Sequence, residues 1–327
     1  MRKTPLAWDI LLLRKHLQWA ADLELWTIPY YLTVLHSIRD RSSLTYQLVQ
    51  SVAYQEMLHV QSIANIANAF GAKLQFNFKK YKRGPYNGTA LPHLNFKLDS
   101  PNPTDVFAPY TAELGSLDLM RINSMCLVEY PVWKTGHRPN AREDISEYGS
   151  VGEFYQAIEV GAKELVGHLT GGINQVDMFR HFYTGIKQTT VDADGELGLR
   201  QVSGLVESTL TQGEGARSEG QIPAQFVNTA DDIRPDWQHY KKFMSIRDLI
   251  LAGQGPQTYT GIADPKPGSK GRNAQQILCA TMDSFFEDIN QLFSSGALPD
   301  SFGPNMAKVG ANILYCWQQG AIPKFSR

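Results

Sequence analysis

Two polar side chains fall on a stripe that helical periodicity reserves for the core, and this constrains the fold more than any other feature. The segment Leu44–Phe70 reads as an amphipathic helix with an apolar face of Leu48, Val52, Ile63, Ile66 and Phe70. Glu56 and His59 take that same face, between Val52 and Ile63. Burying a carboxylate and an imidazole together is costly unless something compensates. A Glu-x-x-His pair directed inward from a helix is one half-site of the carboxylate-bridged dinuclear metal bundles. The sequence therefore predicts an all-α bundle built around a buried metal site.

The rest of the chain is compatible with that bundle. A first helix is predicted over Thr4–Ser37, with Pro29 predicting a kink, and its inward face runs through Ile10, Leu13, Leu17, Ala20, Glu24, Ile28, Tyr31 and Leu35. Glu24 thus shares a core phase. A short turn at Asp40–Ser43 makes the first two helices antiparallel neighbours, and Gly71 ends the second. Residues 72–110 carry many Gly and Pro and short strand-like pieces such as LNFKL, which suits a long crossover between helices two and three. A helical segment is expected over Thr111–Glu129, closed by Pro131. A third long helix starts at the capping box of Ser150 and Glu153.

The fourth helix is predicted from Leu199 and falters at Gly213–Gly215. After a polar insertion over 215–234 it resumes at Pro235, on the stripe His239, Phe243, Ile246 and Ile250. Residues 1–252 form the expected four-helix bundle. Residues 253–327 add a loop and two packing helices, Ala274–Ser294 and Gly303–Gln319, within the same globular unit.

Bulk properties exclude several classes. The chain has 327 residues, 43% hydrophobic and 19% charged, with a net charge of −1 and a pI near 6.7. That balance offers no footprint for nucleic acid or an anionic membrane surface. No apolar run reaches the length of a membrane span. Cys126, Cys279 and Cys316 lie far apart, which argues against a disulfide framework or a thiolate zinc site and fits a reducing cytoplasm. No G-x-S-x-G, phosphate-binding loop or dinucleotide fingerprint is present.

A dinuclear centre in such a bundle takes one carboxylate from each of two helices and a Glu plus a His from each of the other two. Glu24 supplies helix one, and Glu56 with His59 supply helix two. On helix three Glu153 is explained by its capping box, so Glu159, at the edge of the apolar face, is preferred. Helix four lacks a Glu-x-x-His. Its candidates are Glu214 before the insertion and His239 after it, with Glu207 in reserve. The bland alternative is a buried ion-pair network with Arg14, Arg121 or Arg180. Tyr30, Tyr31 and Tyr155 read as core aromatics or as neighbours of the centre. His16, His36, His93, His137, His168 and His181 read as surface, packing or capping residues.

ELWTIPYYLTVL on helix one, YQEMLHVQSIANIANAFGAK on helix two, VGEFYQAI on helix three, and TQGEGA followed by HYKKF resemble one ferritin-like family. It is the family found in iminophenyl-pyruvate dimer synthases of bisindole pigment biosynthesis and in stand-alone bacterial proteins. The resemblance covers about Leu6–Ile250 and implies a ferritin-like four-helix bundle with a dinuclear metal centre. It supports Glu24, Glu56 and His59 most directly, then Glu214 with His239, and leaves Glu159 against Glu153 open. The resulting expectation is an oxidoreductase using two iron or manganese ions with dioxygen or peroxide on a small, amino-acid-derived molecule. Rival expectations are an imine-coupling enzyme served by a partner biosynthetic oxidase, and a non-catalytic scaffold or metal store. A homo-oligomer is compatible with the aromatic-rich first helix, though nothing compels it.

Overall fold

The computed structural model describes residues 6–77, 95, 98, 102–131, 139–183, 185–213, 222–227 and 232–326. The chain folds as α1 (Ile10–Ser37), α2 (Leu44–Ala69), α3 (Leu119–Val128), α4 (Val151–Glu164), the single turn α5 (Arg180–Tyr183), α6 (Gly195–Gln212), α7 (His239–Leu251), α8 (Lys270–Ser295) and α9 (Phe302–Gln318). Among the described residues the β pairings are isolated bridges. No described helix is long and apolar enough to cross a membrane.

Four helices make the bundle. Helix α1 packs on α2 and α4, and α6 closes the ring against α2 and α4. Helix α1 starts at Asp9, whose carboxylate accepts the Leu12 N–H (2.7 Å), and continues through Pro29 as one element. Helix α2 starts at Ser43, whose hydroxyl accepts the Tyr46 N–H (3.3 Å). It ends where Gly71 turns to φ +65 and Ala72 N–H returns to Ala67 O (2.8 Å). Arg14 of α1 donates from Nε to Phe70 O (2.8 Å), so a cation on one helix satisfies the free carbonyl end of its neighbour.

The capping box of α4 forms as predicted in kind. Ser150 Oγ accepts the Glu153 N–H (3.2 Å), while the Glu153 carboxylate reaches back to Gly149 N–H (2.8 Å). Several helix starts differ from the sequence reading: α1 begins at Ile10 rather than Thr4 and α8 at Lys270 rather than Ala274. Helix α3 begins at Leu119 rather than Thr111, because Asp118 caps it by accepting the Arg121 N–H (2.9 Å). Helix α6 begins at Gly195, where Asp194 caps through the Leu197 N–H (2.8 Å). Helix α7 begins at His239, not at Pro235, since the chain before it is occupied in turns. The LNFKL segment lies largely outside the described residues.

The C-terminal helices α8 and α9 pack against each other and against the outer side of α1 and α2. Trp317 Nε1 donates to Thr33 O (3.1 Å), and Asn290 of α8 clasps both backbone groups of Phe76. With the bundle on one side and this hairpin on the other, α1 is buried around most of its circumference. His16 is one of its packing residues: Nδ1 meets Leu12 O (2.8 Å), Nε2 meets the Tyr148 hydroxyl (2.9 Å), and burial lowers its pKa to about 4.

Candidate metal centre

Five buried side chains converge inside the bundle: Glu24 from α1, Glu56 and His59 from α2, Glu129 at the end of α3, and His239 at the start of α7. Glu56 and His59 are three residues apart on one helix, so they project to the same side. Glu24 Oε2 and Glu56 Oε1 each lie 3.6 Å from His59 Nδ1. Glu56 Oε1 also lies 3.0 Å from His239 Nδ1, with Glu129 Oε2 at 3.5 Å. Two donor groups result, Glu24–Glu56–His59 and Glu56–Glu129–His239, each with ligand atoms within 4.8 Å of one another. Glu56 belongs to both.

Each imidazole is turned by a glutamine from another element. His59 Nε2 meets Gln212 Oε1 (3.1 Å), and His239 Nε2 meets Gln55 Oε1 (2.8 Å). Gln212 spends its amide N–H on Phe226 O (2.7 Å), so it presents an acceptor to His59. Nε2 is then the protonated nitrogen, and Nδ1 is the one that faces the carboxylates. The two rings stack at 5.4 Å, and Glu56 Oε1 approaches the Nδ1 of each.

The remaining carboxylate oxygens are held by hydroxyls. Tyr155 of α4 donates to Glu24 Oε1, and Tyr31 donates to Glu129 Oε1 (2.6 Å). The Thr27 hydroxyl stands between Glu24 O (2.7 Å) and Glu56 Oε2 (2.9 Å). Behind His239, the fully buried Lys242 donates to Ser51 Oγ (2.9 Å) and pairs with Asp232, which ties the approach to α7 down onto α2. Tyr240 N–H donates to Gly213 O (3.3 Å), so the chain leaves the bundle after α6 and returns beside the point of departure.

Burial raises the Glu24 pKa to about 7, and the nearby Glu56 charge adds to it. Burial alone would raise Glu56 as well, but His59 and His239 outweigh it and hold Glu56 well below the usual carboxylate range. For His59 and His239 burial acts downward, and the facing carboxylates overcome it, so both imidazoles are raised above 6.5. His239 Nδ1 is buried, 3.0 Å from Glu56 Oε1 and 3.5 Å from Glu129 Oε2, and makes no well-aligned hydrogen bond. Carboxylates and imidazoles, with no thiolate among the described groups, form a donor set that could hold a divalent metal ion.

The sequence matches a family model described as ferritin-like over residues 17–248. The chain belongs to the ferritin-like family. A crystal structure of a ferritin-like protein from Caulobacter vibrioides shares 43% identity with it, covering 98% of this chain and 100% of that one, with a TM-score of 0.84. Among curated proteins nothing matches. The narrower resemblance to the dimer synthases is carried by the sequence motifs alone.

Within this ferritin-like bundle, Glu24, Glu56, His59 and His239 come together. Glu159 does not join either group: it is half-buried on α4, and the inward position of that helix is taken by Tyr155. Glu214 lies outside the described residues, as do His93 and His137, and Glu207 is exposed. Tyr30 donates to Thr111 O (2.8 Å), away from the cluster. The three arginines considered as partners bind elsewhere: Arg14 at Phe70, Arg121 at Asp118 and Arg180 at Asp177. Sequence reasoning missed Glu129, Gln55 and Gln212. The signal for Glu129 was present: a lone acid directly after the apolar run Met125–Val128, two residues before Pro131.

Proposed function

We propose that this ferritin-like chain is a metal-dependent oxidoreductase, with two divalent ions, iron or alternatively manganese, held by Glu24, Glu56, His59, Glu129 and His239. The observation that carries this reading is the buried His239 Nδ1, without a hydrogen bond and facing two carboxylates. Bound there, a redox-active metal pair supplies the capacity to activate dioxygen or a peroxide against a small organic molecule.

The chain's own residues set the conditions for that chemistry. Glu56 belongs to both groups, its Oε1 approaching both imidazoles while Oε2 accepts from Thr27. Gln55 and Gln212 keep both Nδ1 atoms unprotonated once cations are present. The Tyr31 phenol, kept protonated by burial and by Glu129, holds that carboxylate by its outer oxygen, as Tyr155 holds Glu24. Leu23, Val128, Val151 and Leu210 line the adjoining cavity and keep bulk water from the donors.

The test is metal content per chain, measured on protein purified without chelator, for wild type and Glu56→Gln. Wild type should carry about two ions. The variant removes the carboxylate common to both groups at nearly unchanged volume, and should lose most of the metal while keeping its helical circular dichroism. Equal metal in both proteins would refute the assignment.

A further inference from the structure

The C-terminal hairpin carries a cavity of its own. Along α8, Arg272, Gln275, Gln276 and Cys279 recur at three- and four-residue spacing and so share one face. The tail after α9 runs opposite them. Its burial alternates, with Ala321, Pro323 and Phe325 buried, so Lys324 and Ser326 fall on the other side of an extended backbone. Two buried side chains pin the tail to the helix. Gln275 Nε2 donates to Ala263 O and Ile322 O (2.8 Å each), and the Cys279 thiol donates to Lys324 O (3.3 Å). Gln275 Oε1 is left for the Arg272 guanidinium, whose Nη1 lies 3.5 Å away. The space between helix and tail is about 350 Å³, within the range of small-molecule sites.

The charge of this cavity is one-sided. Arg272 and Lys324 line it with two glutamine amides and the Ser326 hydroxyl, and no carboxylate is among the described lining residues. The first turn of α8 holds no acid to neutralise Arg272, and neither cation makes an ion pair among the described residues. Beyond these heads the wall is more apolar than polar. We propose that the cavity binds a small organic anion, its charged head between Arg272 and Lys324 and its carbon skeleton against Cys279. A guanidinium and an ammonium suit a carboxylate and a phosphate ester alike, so the anionic head is the shared chemistry. None of these residues belongs to the Glu24–Glu56–Glu129 cluster, and the inference stands apart from the metal reading.

Calorimetric titration of the full chain with benzoate, phenyl phosphate and the neutral benzyl alcohol tests this. At least one anion should bind wild type, with the alcohol weaker by about tenfold or more, the worth of a charged hydrogen bond. Arg272→Gln and Lys324→Gln should each weaken the anion by about tenfold or more. Lys308→Gln, at an exposed lysine of α9, should leave it unchanged. Cys279 supplies a second readout: its alkylation by iodoacetamide, followed by peptide mass, should slow when the anion is bound, while that of Cys126 on α3 should not change. Tighter binding of phenyl phosphate upholds the site and assigns it to phosphate esters, and benzoate binding at least as tight upholds it for carboxylic acids. No binding of either anion, benzyl alcohol binding as tightly, or Cys279 alkylation indifferent to bound anion would overturn the proposal. If Arg272→Gln fails to fold, Lys324→Gln and the protection of Cys279 in wild type decide.

Discussion

Gln212 donates its amide to Phe226 O and so has only an oxygen to offer His59. That one hydrogen bond fixes which imidazole nitrogen can bind a cation, and a neutral amide does so without adding another charge to three buried carboxylates. Gln212→Leu should therefore leave all five donors in place and weaken metal binding about 10–100-fold, the usual cost of losing such an outer partner. Protons compete for the same atoms. The facing carboxylates raise the His59 and His239 pKa values above the ordinary imidazole value, so the metal-free protein holds those protons more tightly than a free imidazole does. A cation must displace them. Metal affinity in wild type should fall as pH falls and go on rising above pH 6.5. Cobalt titrations at several pH values would show both effects, and a pH-independent affinity would contradict them.

The long helices α1 and α2 are legible because their faces repeat over many turns, and an acid or imidazole out of character stands out against that repeat. Glu24, Glu56 and His59 were visible for this reason, and His239 because it heads the stripe of Phe243 and Ile246. Glu129 was not, since α3 is short, starts only at the Asp118 cap and delivers its carboxylate from its last turn, beyond any face a periodicity could define. Glu159 misled for the complementary reason: at the edge of an apolar face, helical phase alone does not distinguish an acid from the Tyr155 one turn earlier. Helix ends also carry stability. Gly71 stops α2 at φ +65, and a Cβ there would approach Arg14 Nη2 at 2.9 Å, beside the bond Arg14 makes to Phe70 O. Gly71→Ala should cost about 1–2 kcal/mol in urea unfolding, chiefly from the left-handed backbone. An unchanged midpoint would show that the turn tolerates a side chain.

At the scale of the molecule, the α1–α2 pair works as a partition. Its inner side carries Glu24, Thr27, Glu56 and His59. Its outer side carries Leu25, Ile28, Leu32, Met57 and Val60, which meet Met282, Ile289, Phe302 and Val309 of the C-terminal hairpin around an apolar cavity of about 60 Å³. Two apolar layers around one polar seam explain why the sequence reads as an ordinary helical protein in composition, yet places charge at the centre. The four-helix plan and the added C-terminal helices were legible at this scale. The polar insertion between the end of α6 and His239 was legible as such, but the long-range contacts at its ends, such as Lys242 with Asp232 and Gln212 with Phe226, were not. The proposed function requires that Glu56 be shared by two cations. Anomalous scattering from crystals grown with iron or manganese tests it directly. Two peaks per chain are expected, one among Glu24, Glu56 and His59 and the other among Glu56, Glu129 and His239. A map with no peak at these residues, from protein that is otherwise fully ordered there, would contradict it.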